Sequence, residues 1–304
     1  MDIMTIKDEI KQLKEVNNAI IMAHYYAPAE VLELADYVGD SYYLAKTATE
    51  TKAEVVVFAG VSFMGESVKI LNPEKTVLMP DITADCPMAH MAEISKIEEL
   101  RNTYKDLAVV CYINSTAKLK CHSDVCVTSS NAVKIVKNLP NKNIFFIPDV
   151  NLGRYVKEQV PEKNIILNDG FCPIHNAVTI EDIENAKKKH PNALLLTHPE
   201  CREDVVKASD YIGSTADIIK YAKESECKEF IICTEEGVEY PLMLNNPDKQ
   251  FYFAKEEFCC KDMKLNTAQK ILDVLTNMTN EVVMDEGIRE RALVPLNRML
   301  VMAK

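Results

Sequence analysis

Three cysteines recur at near-equal intervals: Cys86, Cys172 and Cys260 lie 86 and 88 positions apart. Each follows a short apolar run. Cys86-Pro87-Met88 comes seven residues past Val77-Leu78-Met79, and Cys260 comes seven past Phe251-Tyr252-Phe253. Cys172 lies in Asp169-Gly170-Phe171-Cys172-Pro173-Ile174-His175, just beyond Ile165-Ile166-Leu167. Three thiols brought together leave a bound metal with one open coordination position. An Fe–S cluster takes a full set of four thiolates, so three would leave one iron free to bind substrate as a Lewis acid. Zinc on three cysteines and a water is the rival, since catalytic zinc also keeps an open position. Spacing does not separate the two.

A second set of polar residues keeps the same interval. His24, Tyr112 and His198 are 88 and 86 apart, and so are Tyr26, Asn114 and Glu200, two residues further on. Ser41, Ser129 and Thr215 each follow the first series by 17 residues. Ser and Thr are good N-caps, so each is expected to begin a helix. Three helix N-termini meeting at one place suit an anion, because each offers free backbone N–H groups and partial positive charge. The ligand so implied is a small molecule with several carboxylates or a phosphate. Glu200, beside an imidazole, is placed for general-base work. The cluster Cys121-His122-x3-Cys126 has a zinc-like spacing but no counterpart elsewhere, and is read as structural or incidental. His90 and His190 are read as surface residues, and His175 as support for the Cys172 loop.

The elements that must carry these residues repeat as well. Residues 5–16 have helical amphipathic spacing. Buried parallel strands, apolar on both faces, are expected at Asn18–His24, Leu107–Tyr112 and Ala193–His198. Second strands are expected at Val55–Phe58, Ile144–Ile147 and Phe230–Cys233, with Phe58, Phe146 and Ile232 again 88 and 86 apart. Cys111 and Cys233, inside such runs, act as small hydrophobes. Each unit therefore reads β-α-β-α-β over about 87 residues, a repeat long enough for a three-layer α/β domain. The fold class is α/β: three homologous three-layer α/β/α domains with parallel sheets around a pseudo-threefold axis. The division is 1–86 with 261–304, then 87–172, then 173–260, the tail forming helices that pack back on the first unit. Ligands of parallel α/β sheets bind beyond the carboxyl ends of the strands, and crossover handedness puts every landmark of a unit on one sheet edge. The three edges together would enclose one cavity.

Composition limits the function classes. The 304 residues are 47% apolar and 27% charged, values of an ordinary globular protein. A net charge of -11 argues against nucleic acid or an anionic membrane as partner. The first nine residues carry acids and no apolar core, unlike a signal peptide, and no apolar run approaches the ~20 residues of a membrane span. A cytoplasmic location is expected, where ten cysteines are reduced thiols or metal ligands.

Several of these motifs, in order along the chain, resemble the quinolinate synthase family. They are Ala23-His24-Tyr25-Tyr26, Gly39-Asp40-Ser41, Cys86-Pro87-Met88, Tyr112-Ile113-Asn114-Ser115-Thr116-Ala117, Thr128-Ser129-Ser130-Asn131-Ala132, Gly170–His175, His198-Pro199-Glu200-Cys201, Gly213-Ser214-Thr215 and Cys260-Lys261-Asp262-Met263-Lys264. The resemblance implies a 4Fe–4S cluster held by one cysteine per unit, Cys86, Cys172 and Cys260. It implies condensation of iminoaspartate with dihydroxyacetone phosphate to quinolinate, with loss of phosphate and water, on the route to NAD. The open iron would assist dehydration. His24, His198, Ser41, Ser129 and Thr215 would hold carboxylate and phosphate groups, Tyr112 and Asn114 would position substrate, Tyr26 would assist tautomerisation, and Glu200 would act as base. Functional coupling to an L-aspartate oxidase or dehydrogenase supplying iminoaspartate follows. Two departures stand out: Ala27 where the family often has Gln, and adjacent Cys259 and Cys260, of which the Cys-x-x-Met-Lys pattern selects Cys260, with Cys259 as the alternative. The alternatives are another 4Fe–4S hydratase or dehydratase of a small polycarboxylate, an Fe–S redox or electron-transfer protein, and a zinc enzyme or metal-free binding protein.

Overall fold

The computed structural model describes residues 5–304. Residues 1–4, part of the segment read as unlike a signal peptide, lie outside it. The chain builds three four-stranded parallel sheets of identical strand order. The first holds β1 (Ala19–His24), β2 (Tyr37–Gly39), β3 (Val55–Ala59) and β4 (Thr76–Leu78), ordered β2-β1-β3-β4. The second holds β5 (Ala108–Tyr112), β6 (Val125–Val127), β7 (Asn143–Ile147) and β8 (Asn164–Leu167), ordered β6-β5-β7-β8. The third holds β9 (Leu194–Thr197), β10 (Tyr211–Ile212), β11 (Glu229–Cys233) and β12 (Gln250–Phe253), ordered β10-β9-β11-β12. Register repeats with order: Met22 faces Tyr37, Val110 faces Val125, and Leu196 faces Tyr211. The central strands are apolar and buried except at an occasional residue near one end, as strands covered by helices on both faces must be.

Each unit has one strand more than its apolar pattern indicates. The additions, β2, β6 and β10, are edge strands of two or three residues, too short to show a period. An aspartate fastens each of them to its central strand. Asp36 Oδ2 accepts the Ile21 N–H at 2.8 Å, and Asp124 and Asp210 accept the Val109 and Leu195 N–H at 2.7 Å each. Each also pairs with a cation on the helix before the sheet: Lys14, Arg101 and Lys187 respectively.

The helix starts also differ from expectation. Ser41 and Thr215 are the first residues of the helices Ser41–Glu50 and Thr215–Glu224, and the caps are their predecessors. Asp40 Oδ1 accepts the Tyr43 N–H at 2.8 Å, while Ser214 forms a reciprocal capping box with Asp217. In the second unit the helix is Ala132–Asn138, so Ser129 lies in the loop before it, where Asn131 Oδ1 accepts the Thr128 N–H. The capping residue is the one whose short side chain reaches back to the third helical amide.

Of the tail, Ala268–Asn277 lies on the opening helix Ile6–Val16, and its Ile271, Val274 and Leu275 join Ile10, Ile21 and Val57 in one cluster. Glu286–Met302 instead spans the first two units. It packs on Ser62–Leu71, on Ala117–Lys120 and on β6, burying Ala292, Leu296 and Met299. Each such fully buried Leu or Met side chain contributes about 1.5–3 kcal/mol. Among the described residues no helix is long and apolar enough to cross a membrane.

Candidate active site

The carboxyl ends of the three sheets meet at a cavity of about 260 Å³. His24, Tyr26, Ser41, Tyr112, Asn114, Ser129, His198, Glu200 and Thr215 line it, together with Cys86, Cys172 and Cys260. The three cysteines and the nine polar residues singled out by the repeat spacing are therefore all on its wall.

The three thiols have equivalent local settings. Cys86 and Cys172 each precede a proline that opens a short helical turn, Pro87–His90 and Pro173–Asn176. Cys260 precedes the turn Met263–Leu265. Each sulfur faces the backbone N–H three residues on, from Ala89, His175 and Met263. Burial nonetheless pushes the Cys86 thiol up to about 12, with Glu200 and Cys260 adding to the effect, and raises Cys172 well above the ordinary thiol value. Cys260 is raised by burial too. Three crowded thiols facing amides, and resisting ionisation alone, form a donor set that a soft cation would complete. The residues fit an Fe–S cluster with one open iron. Cys259 also lines the cavity, but its thiol faces Glu236. A tighter grouping includes one of the three sulfurs: donor atoms of Cys172, His175 and Glu200 all lie within 4.8 Å of one another.

The imidazoles are set by matching hydrogen bonds. The Tyr26 N–H donates to His24 Nδ1 at 3.2 Å, and the Glu200 N–H donates to His198 Nδ1 at 3.3 Å. Nδ1 is an acceptor in both rings, so the ring proton is on Nε2. Burial holds both histidines down at about 3, hence neutral near pH 7. Burial opposes ionisation of Glu200, but the neighbouring His198 and His175 rings and the Tyr112 hydroxyl outweigh it and hold the carboxyl below its ordinary value. Tyr26 and Tyr112 are raised well above the usual phenol value by burial and by Glu200, and so keep their protons. Asn114 Oδ1 is buried without a partner among the described residues, an acceptor left for a ligand.

Two residues that lack repeat partners join these groups. His175, 2% exposed, has Nδ1 2.9 Å from Glu200 Oε2 and 3.3 Å from Cys172 Sγ. Its Nε2 lies 2.9 Å from Thr234 Oγ1, which lies 2.8 Å from the Tyr26 hydroxyl. Tyr26 in turn reaches Thr215 Oγ1 at 2.7 Å. A continuous chain Tyr26–Thr234–His175–Glu200 thus connects the candidate acid and base. Thr234 escapes the sequence reading because its equivalents in the other units are Gly60 and Pro148. Lys264 Nζ ties the third unit to the first, donating to the Tyr26 carbonyl at 2.8 Å and pairing with Glu235 at 2.9 Å. Gly237 sits under this contact, where a Cβ would lie 2.7 Å from Tyr26 Cα.

The other candidates lie outside the cavity. His90 is exposed and pairs with Asp85 at 2.7 Å, and His190 stacks on Tyr252. Cys121 Sγ donates to the Ile288 carbonyl, and Cys126 is buried in β6 opposite Cys111.

A model of the family described as Quinolinate synthetase A protein matches residues 8–301. Over 298 residues the chain is 53% identical to the quinolinate synthase of Fusobacterium nucleatum, covering 98% of this chain and 99% of that one. It is 52% identical to that of Clostridioides difficile over 296 residues, 97% of each chain. It is also 52% identical to that of Caldicellulosiruptor bescii over 302 residues, 99% of this chain and 100% of the other. With the family match spanning nearly its whole length, the chain belongs to the quinolinate synthase family.

Proposed function

We propose that this enzyme condenses iminoaspartate with dihydroxyacetone phosphate to give quinolinate, with loss of phosphate and water, as a step of NAD biosynthesis. The observation that supports it best is the meeting, in one cavity, of three equivalently placed cysteines with two neutral imidazoles and a series of hydroxyls. Cys86, Cys172 and Cys260 would hold a 4Fe–4S cluster, which supplies Lewis acidity for dehydration at its open iron. The Nε2–H groups of His24 and His198 donate to substrate carboxylates. Ser41, Ser129 and Thr215 bind carboxylate or phosphate oxygens, and the partnerless Asn114 Oδ1 and the Tyr112 hydroxyl orient the substrate. Glu200, ionised, takes the proton, and Tyr26, protonated, gives one during tautomerisation. On the same reading the chain divides into three domains: 1–86 with 261–304, 87–172 and 173–260. Its imine substrate hydrolyses in water, so an L-aspartate oxidase or dehydrogenase would supply it, and the acidic chain has no nucleic-acid or membrane partner on this account.

The clustering of Cys172, His175 and Glu200 supports a second reading, a single zinc. Anaerobically reconstituted protein given iminoaspartate and dihydroxyacetone phosphate decides between them. Quinolinate formation that disappears, together with bound iron, in Cys172→Ala is expected. Turnover retained in that variant, or turnover with zinc alone, contradicts the proposal.

A further inference from the structure

Two of the three cavity cysteines donate their backbone N–H to a buried carboxyl group. Asp149 Oδ2 accepts the Cys172 backbone N–H at 3.0 Å, and its Oδ1 accepts the Leu152 N–H at 2.6 Å. Glu235 Oε1 accepts the Cys260 N–H at 2.9 Å, and its Oε2 accepts the Gly237 N–H at 2.7 Å. Both residues are fully buried. They hold the same place in their units, three residues past Phe146 and Ile232, on the loops that leave β7 and β11. In both, one oxygen closes the local turn, as an ordinary cap does, and the other takes the cysteine amide; at Glu235 that second oxygen also pairs with Lys264 Nζ at 2.9 Å. The equivalent residue of the first unit is Val61. There the tail segment just past Cys260 supplies an acceptor, Asp262 Oδ1 taking the Asp85 N–H at 3.3 Å, one residue before Cys86.

We propose that Asp149 and Glu235 are positioning residues for the metal-binding thiols, orienting Cys172 and Cys260 through their backbone amides; this rests on the three-thiol reading above. A cap alone needs one acceptor oxygen, which Asn or Gln supplies. Two N–H groups approaching opposite oxygens call for a carboxyl group, which offers two oxygens where an amide offers one. In Asp149→Asn, whichever way the amide turns, either Cys172 or Leu152 faces an N–H donor in place of an acceptor. Glu235→Gln does the same between Cys260 and Gly237 and also removes the charge paired with Lys264, so Asp149→Asn is the cleaner of the two. Groups that orient metal ligands in this way are typically worth 10–100-fold in metal retention.

The test uses anaerobically reconstituted full-length protein, wild type and both variants, challenged with an iron chelator. Loss of iron–sulfide absorbance is followed in time, and the EPR spectrum of the reduced cluster is recorded. Asp210→Asn is the control, since Asp210 makes the same kind of bond to a strand amide, that of Leu195, away from the cavity. The expected result is cluster loss about 10–100-fold faster in Asp149→Asn and Glu235→Gln, with altered EPR signals, and near-wild-type behaviour in Asp210→Asn. Loss within about twofold of wild type in both variants overturns the inference alone, as does equal acceleration in Asp210→Asn. Wild-type protein that takes up no iron overturns the three-thiol reading and this inference with it.

Discussion

The Tyr26 hydroxyl separates a structural role from a chemical one, so Tyr26→Phe is the most informative substitution. The hydroxyl makes two contacts, to Thr215 Oγ1 at 2.7 Å and Thr234 Oγ1 at 2.8 Å. Phe keeps the ring, and with it the edge contact to His24 at 4.5 Å between centroids. The backbone bonds to Lys264 and His24 Nδ1 also survive. At about 1 kcal/mol each, two lost hydrogen bonds amount to about 2 kcal/mol, or roughly 30-fold in any equilibrium they support. Thr234 still has His175 as partner, so the true structural loss is smaller. A proton transfer by Tyr26 is worth about 10²–10⁴-fold. Anaerobic kinetics should therefore show kcat reduced by at least about 100-fold with KM little changed, while urea unfolding shifts by no more than about 2 kcal/mol. A kcat loss below about 30-fold refutes the reasoning, because two hydrogen bonds would account for it.

Glu200→Gln should keep its bound iron yet lose at least about 10²-fold in turnover, and a nearly normal rate would remove Glu200 from the proton path. Gly237→Ala drives a Cβ to 2.7 Å from Tyr26 Cα and 2.8 Å from Glu235 Oε2, so urea unfolding should show a loss of about 1–3 kcal/mol; wild-type stability would mean that the first and third units separate freely there. At Asp81, Lys270 and Thr83 hold the carboxyl at about 2, below its ordinary 3.8. Since the folded-state value is the lower one, this stabilisation is full above 3.8 and is lost as pH falls towards 2. Asp81→Asn should cost about 1 kcal/mol near neutral pH, an amount reduced by the partial exposure of Lys270, and nothing at low pH. A penalty that persists unchanged in acid contradicts the ion-pair explanation.

The cavity wall is legible in the sequence wherever all three units use the same kind of side chain. His24, Tyr112 and His198 mark strand ends because a polar residue closing an apolar run must meet water or a ligand. Where one unit departs, the signal is lost. Asp149 and Glu235 are paired with Val61, and Thr234 with Gly60 and Pro148, so no series points to them. His175 is central to the site but is single, and only its distance from Cys172 hinted at a role. A converse case is Asp36, Asp124 and Asp210, which keep the 88 and 86 spacing in plain view. They pass as loop acids until the edge strands they fasten are seen, and those strands are too short to declare themselves. Helix starts shifted by one residue for a local reason: Asp40 and Ser214 outcompete Ser41 and Thr215 for the third helical amide. The last helix sits across two units because Ala292, Leu296 and Met299 complete a core that the first and second units share, a destination that periodicity alone does not specify.

The central claim is that Cys86, Cys172 and Cys260 together hold an iron–sulfur cluster with an open iron. Iron, acid-labile sulfide and zinc measured on anaerobically purified protein test it most directly. The account predicts about four irons and four sulfides per chain, falling to background in Cys172→Ala. Stoichiometric zinc without sulfide would contradict it, leaving the fold and the family in place and the proposed chemistry without its metal.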